Sequence, residues 1–207
     1  SMTSLPPMVA ARGAFFVDGG IQLQALAPWG DTEFLLGGAN DPDFDNGVVR
    51  ARIRVGDGLD NAVVFRANAA DKDAEIDGGY GVSLEKDKVR LVRWEHRMAR
   101  FLGSEAKLEP APRAGDVVEV VIVAAGPWLQ ATVFNGDSFA RLGHTAALDK
   151  GFAKGKVGWR VGRYDRGSVL SFVSVGNVAA AENAKDLGDD GEVAGAGVDR
   201  VVTVDEA

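Results

Sequence analysis

Apolar and polar side chains alternate with a period of two along most of the chain. The clearest run is Val49, Ala51, Ile53 and Val55, interleaved with Val48, Arg50, Arg52 and Arg54. Successive side chains of a strand point to opposite faces, so this run predicts a strand with an apolar face and a basic face. The same period predicts strands over Ile21–Leu26, Glu33–Leu36, Ala62–Arg66, Tyr80–Glu85, Val89–Trp94, Val117–Ala124, Leu129–Phe134, Val157–Gly162 and Val169–Val175. Turn chemistry separates them, with Asp18-Gly19-Gly20, Gly56-Asp57-Gly58, Asp77-Gly78-Gly79 and Asp165-Arg166-Gly167 between strands. Asn135-Gly136 is the strongest hairpin signal, because both residues tolerate positive φ. Glu85-Lys86-Asp87-Lys88 predicts a second, short hairpin. No helix of useful length is predicted, although His144–Lys154 has room for one turn. Many short strands without crossover helices exclude a parallel α/β architecture and leave an all-β sandwich or barrel.

Composition narrows the chemistry. The 207 residues are 46% hydrophobic and 26% charged, enough for one domain to bury a core unaided. There is no cysteine, which excludes disulfides, zinc–thiolate sites and cysteine nucleophiles. His96 and His144 are the two histidines, too few for a multi-histidine metal centre. A net charge of −7 argues against general nucleic-acid binding. No apolar run approaches the ~18 residues of a membrane-spanning helix. The longest, Val117–Ala125, is broken by Glu119. Residues 1–8 read as a cloning remnant and an N-terminal arm, and residues 9–178 as the domain. Residues 179–207 read as an acidic, glycine-rich tail or linker, with a β-prone run at Val198–Val204. A secreted or periplasmic location is favoured over a cytoplasmic one.

Several segments carry a family resemblance in order and spacing. They are Val17-Asp18-Gly19-Gly20-Ile21, Phe44-Asp45-Asn46-Gly47-Val48-Val49, Asn61-Ala62-Val63-Val64-Phe65-Arg66-Ala67 and Gly79-Tyr80-Gly81-Val82-Ser83-Leu84. Val89–Arg93, Phe134-Asn135-Gly136, Lys156-Val157-Gly158-Trp159-Arg160 and Ser171–Val175 continue the series. Together they resemble the concanavalin A-like jelly roll of laminin-G-like and 3-keto-disaccharide hydrolase-like domains. The chain departs from that pattern at Gly115–Val120, where a tryptophan commonly opens the strand. The resemblance implies an all-β, antiparallel two-sheet jelly-roll sandwich. It does not imply one activity, because the fold hosts sugar-binding modules, glycosidases and structural domains.

A sugar groove needs flat aromatic surface and planar polar groups, and candidates are chosen on that basis. The richest run is Arg90–Arg97, which sets Trp94, Glu95 and His96 together near a strand end. Strand alternation predicts Trp94 and His96 on one side and Glu95 and Arg97 on the other. The resemblance places Arg66 opposite the core, on the concave side, with Tyr80 beside it. Arg50 and Arg52, with Arg54, form a basic stripe. It reads either as an anion-recognising groove for uronate, sulfate or phosphate, or as a solvated face with cross-strand ion pairs. Trp159 alternates with Val157 and Val161 and reads as core, whereas Trp29 and Trp128 read as loop plug or groove platform. Asp41, Asp43 and Asp45 alternate near Phe44, and a single irregular calcium site on them stays open. An EF-hand is rejected, since counting from Asp41 puts Asn46 and Arg52 where Gly and the bidentate acid belong. No cofactor beyond calcium is expected.

These readings favour non-catalytic recognition of a glycan, or an accessory domain of a larger bacterial protein with a neighbouring domain. A glycoside hydrolase-like enzyme acting on disaccharides is the alternative. It would use Glu95, with Glu85 or Asp77 as a second acid. A structural protein-interaction domain is the third reading.

Overall fold

The computed structural model describes residues 14–17, 20–23, 32–36, 42–69, 76–96, 98–177 and 200–203. Those residues form strands and no helix. The strands are β1 (Ala14–Val17), β2 (Gly20–Leu23), β3 (Thr32–Leu36), β4 (Gly47–Arg54), β5 (Asp60–Ala69), β6 (Ile76–Glu85) and β7 (Lys88–Glu95). They continue as β8 (Met98–Lys107), β9 (Val117–Ala125), β10 (Trp128–Asn135), β11 (Arg141–Leu148), β12 (Lys156–Val161), β13 (Val169–Asn177) and β14 (Arg200–Thr203). The larger sheet has the order β1-β2-β13-β4-β9-β10-β11, with β14 also beside β13. The smaller sheet has the order β3-β12-β5-β6-β7-β8. All strand pairs are antiparallel, and the chain passes back and forth between the sheets. The protein is an all-β, two-sheet jelly-roll sandwich.

The period of two builds the core. Val49, Ala51 and Ile53 of β4 point inward with Val118, Val120 and Ile122 of β9 and Leu129, Ala131 and Val133 of β10. The smaller sheet answers with Val63 and Phe65 of β5, Tyr80, Val82 and Leu84 of β6, Val89 and Leu91 of β7, and Trp159 of β12. Each large side chain buried here contributes roughly 1.5–3 kcal/mol by leaving water. Alternate positions point outward and give each sheet a second face.

Every predicted strand forms within the described residues, the one expected over Ile21–Leu26 being described as far as Leu23, and β1, β8 and β11 appear besides. β1 lies beside β2. β8 has no alternation to read, because only Leu102 along it is buried. It forms by pairing with β7 at the sheet edge. β11 runs through the segment where a helical turn is expected, with His144 opposite Thr132 of β10. The backbone bonds offered by β10 outweigh any local helical tendency there. The hairpin at Asn135-Gly136 does form, but through a longer loop. Asn135 Oδ1 accepts bonds from the amides of Asp137 (3.0 Å) and Ser138 (2.9 Å), and Phe139 takes the positive φ. The β6–β7 hairpin is the short one expected, with Lys86 at φ 54°.

β14 lies within the tail range and pairs with β13 from Phe172↔Thr203 to Val175↔Arg200. Residues 1–8, Trp29, Asp41, Arg97 and 178–199 lie outside the described residues. Among the described residues no helix is long and apolar enough to cross a membrane.

Candidate functional site

Two residues expected to line a groove belong to the interior. Arg66 is 1% exposed, at φ 48°, and its guanidinium is bonded to main-chain oxygens. Nε donates to the Asp45 carbonyl at 2.8 Å, and Nη1 to the carbonyls of Gly126 (2.8 Å) and Phe152 (3.1 Å). Nη2 reaches Asn46 Oδ1 at 3.3 Å. Burial lowers its pKa. Arg66 therefore pins three loops to β5 and presents nothing to a ligand. Its positive φ, beside a register shift in β5, turns the side chain away from the face that alternation assigns it.

Tyr80 is likewise fully buried, tilted against Phe65 with ring centres 5.6 Å apart and edge-on to Phe152 at 5.5 Å. Its hydroxyl donates to Asp149 Oδ1 at 2.6 Å and accepts from the Phe152 amide at 3.0 Å. Burial, then the bond to Asp149, raises the phenol pKa. Asp149 also accepts from Arg93 Nη1 (3.0 Å), Arg100 Nη2 (3.1 Å) and the Gly151 amide (2.8 Å). Burial alone would push this carboxyl up. The bonds from Tyr80 and Gly151 and the charge of Arg93 outweigh it and hold the carboxyl below its ordinary range.

Among the described residues, two sequence candidates reach a cleft on the outward face of the smaller sheet, Trp94 and Glu85. Across β12, β5, β6 and β7, Arg160 faces Ala62, Ala62 faces Ser83, and Ser83 faces Arg90. Trp94 leans over Gly81, where a Cβ would collide with the indole ring. It is 5% exposed, with the Arg160 guanidinium carbon 4.9 Å from its ring centre. Burial pushes Arg160 down to about 10, so it stays cationic at neutral pH. Phe101, on β8, is 59% exposed and holds the Arg90 guanidinium 4.6 Å from its ring centre. Asp60, Ser83 and Glu85 complete a cleft of about 170 Å³ with Trp94, Phe101 and Arg160.

Asp60 and Glu85 are cross-strand partners at one end of this sheet. Burial raises the Asp60 pKa, opposed by the Tyr164 amide and supported by the charges of Glu85 and Asp165. Asp165 is buried and accepts from Asn61 Nδ2 (2.8 Å), Ser168 Oγ (2.8 Å) and the Ser168 amide (3.0 Å). The cleft thus has an acidic lip and a cationic wall.

The remaining candidates lie elsewhere. Glu95 is exposed and paired with Arg93 Nη2 at 2.9 Å. His96 occupies the β7–β8 turn at φ 49°, and its side chain is 86% exposed, 3.8 Å from Asp77. The strand ends before it, so alternation does not carry it to the side of Trp94. Arg50 pairs with Glu119 at 3.3 Å, and Arg52 Nη2 donates to the Gly136 carbonyl at 2.9 Å. Both lie on the outward face of the larger sheet, the opposite side of the molecule from Trp94. Trp159 is core, and Trp128 is half-buried, with Nε1 3.4 Å from Gln130 Oε1.

Asp43 pairs with Lys156 Nζ at 3.1 Å, Asp45 is exposed, and Asp41 lies outside the described residues. Asp43 and Asp45 flank the buried Phe44. Among the described residues no group of three His, Asp or Glu side chains that could hold a metal ion forms. Sequence reasoning missed Asp60, Phe101 and Arg160, which only the strand register brings together.

With the geometry in place, solved structures identify the fold. A carbohydrate-binding module, CBM66 from Bacillus subtilis, superposes with a TM-score of 0.60 at 20% identity, over 79% of this chain and 90% of its own. The exoplasmic/lumenal domain of VIP36, in a form bound to Ca²⁺ and Man3GlcNAc, has a TM-score of 0.60 at 9% identity, over 95% and 93%. The enzymatically active domain of bacteriophage CBA120 tailspike protein 2 has a TM-score of 0.50 at 13% identity, over 87% of this chain and 30% of its own. At these identities the likeness defines the fold, a jelly-roll sandwich shared by binding modules and lectins. No family model matches the sequence, and no curated protein matches it either.

Proposed function

We propose that this domain binds a neutral glycan on the outward face of its smaller sheet. Phe101 offers the exposed aromatic surface against which the C–H face of a sugar rests. Trp94 and Arg160 form the wall behind it, while Asp60, Ser83 and Glu85 meet the hydroxyls. The carboxylates accept hydrogen bonds from hydroxyls, and the guanidinium donates to ring or hydroxyl oxygens. The acidic lip repels uronate, sulfate and phosphate, so the ligand is uncharged. The observation that carries this reading is the convergence of aromatic and planar polar groups in one cleft, on a fold shared with a carbohydrate-binding module. So few contacts imply millimolar to micromolar affinity, about 4–8 kcal/mol.

Catalysis through Glu95 forms no part of this reading, because Glu95 is exposed and ion-paired away from the cleft. We read the domain as an accessory module of a larger bacterial protein that works outside the cytoplasm, akin to the laminin-G-like and 3-keto-disaccharide hydrolase-like domains. The fold likeness to a bacterial module supports this.

A glycan array followed by calorimetry, with and without calcium, tests the proposal on the wild type and on Phe101→Ala. Neutral glycans should bind, and the variant should bind at least about tenfold more weakly. Binding of acidic glycans alone, or equal binding by Phe101→Ala, would sink it.

A further inference from the structure

A second cavity lies beyond the acidic lip. It holds about 640 Å³ and is lined by Asp57, Leu59, Asp60, Glu85, Lys86 and Tyr164, among others. Asp60 and Glu85 line both this cavity and the Trp94–Phe101 cleft, so the two hollows adjoin across one cross-strand pair.

Tyr164 gives this cavity its character. Its side chain is 60% exposed, yet the loop bearing it is fastened on all sides. The Tyr164 amide donates to Asp60 Oδ2 at 3.2 Å, and Asp57 and Arg166 exchange backbone bonds of 2.8 and 2.7 Å. The buried Asp165 ties the loop to Asn61 and Ser168. Gly58 sits against the Tyr164 carbonyl at φ 69°, where a side chain would collide. Arg163 stacks on the ring, 4.5 Å from its centre, and its Nη2 donates to the Tyr164 hydroxyl at 2.6 Å. An exposed aromatic on an immobilised loop loses little entropy when a ligand covers it. Rigid tyrosines of this kind serve as contact surfaces for that reason.

We propose that the cavity beside Tyr164 is a second sugar subsite, continuous with the first across Asp60 and Glu85, so that the ligand is an oligosaccharide and not a single ring. This rests on the glycan-binding reading above. The first cleft holds one ring against Phe101. The chain then crosses the acid pair, whose oxygens accept hydrogen bonds from hydroxyls of both neighbouring rings, and a later ring lies on Tyr164.

Calorimetry of the full chain against gluco-, manno-, xylo- and fructo-oligosaccharides of about one to six residues tests this. Wild-type affinity should climb with length in the series that binds. Tyr164→Ala should abolish that climb, weakening the longest oligomer about tenfold while leaving the shortest unchanged. Tyr164→Phe keeps the ring and should behave as wild type. Phe101→Ala should weaken every length. An unchanged length dependence in Tyr164→Ala overturns the second subsite and leaves the first intact. Wild-type failure to bind any neutral glycan, on the array or in the four series, ends both proposals.

Discussion

The Arg160 guanidinium lies 4.9 Å from the Trp94 ring centre, and Gly81 lies under the same indole. The indole fills the space a side chain at position 81 would need. Gly81→Val should force the indole off its seat and destabilise the fold by about 1–3 kcal/mol, as overpacking does. Denaturant unfolding measures the loss, and near-UV circular dichroism should report a changed tryptophan environment. An unchanged spectrum with unchanged stability would contradict the packing described.

Arg66 holds three loops through carbonyl bonds made in the interior. Arg66→Met keeps the stem and removes every bond, leaving buried acceptors without donors. The expected cost is large, on the order of 3 kcal/mol. Arg66→Lys should recover little, since one ammonium cannot reach the same set of acceptors. A variant that unfolds at the wild-type midpoint would show that Arg66 is not a structural pin.

Asp149 and Asp60 predict opposite responses to pH. The folded carboxyl of Asp149 sits below its ordinary value, so the native state binds fewer protons than the unfolded one. Its contribution is present above about pH 4 and is lost as pH falls through the folded value. Asp149→Asn should therefore cost about 1–3 kcal/mol at neutral pH and less in acid. Asp60 is raised, so its contribution is present below about pH 4 and is lost as pH rises through its folded value. Asp60→Asn should raise Tm near pH 7 by about a degree or two and change little near pH 3. Thermal unfolding of both variants across pH checks the signs, and slopes of the same sign would contradict the account.

Tyr80→Phe isolates the hydroxyl from the ring. The Phe65 and Phe152 contacts survive, while Asp149 and the Phe152 amide each lose a bond. A loss of about 1–2 kcal/mol is expected, with no change in glycan binding. Lost binding at full stability would return Tyr80 to the groove.

The alternation that builds the core is written plainly along β4, β9 and β10, so the sandwich is legible in the sequence. β8 is not, because an edge strand exposed along most of its length has no period to show. β11 is masked in a different way, since β10 decides its conformation. The site is only partly legible. Trp94 is found because an indole near a strand end is conspicuous, yet His96 is misplaced by extending alternation one residue into a turn. Tyr80 and Arg66 are misplaced because nothing local says which face of β6 is inner, or that β5 shifts register after Phe65. Asp60, Glu85 and Arg160 meet only through pairings between residues about 25 to 100 apart in the chain, a distance over which single residues carry no signal.

The most direct measurement is a ¹H–¹⁵N NMR titration of the full chain with the glycan that the array selects. Shifts are expected at Ala62, Ser83, Phe101 and Gly162 and at the Trp94 indole, with Arg50, Arg52 and Glu119 silent. Shifts confined to Arg50, Arg52 and Glu119 would place the ligand on the larger sheet and contradict the central claim.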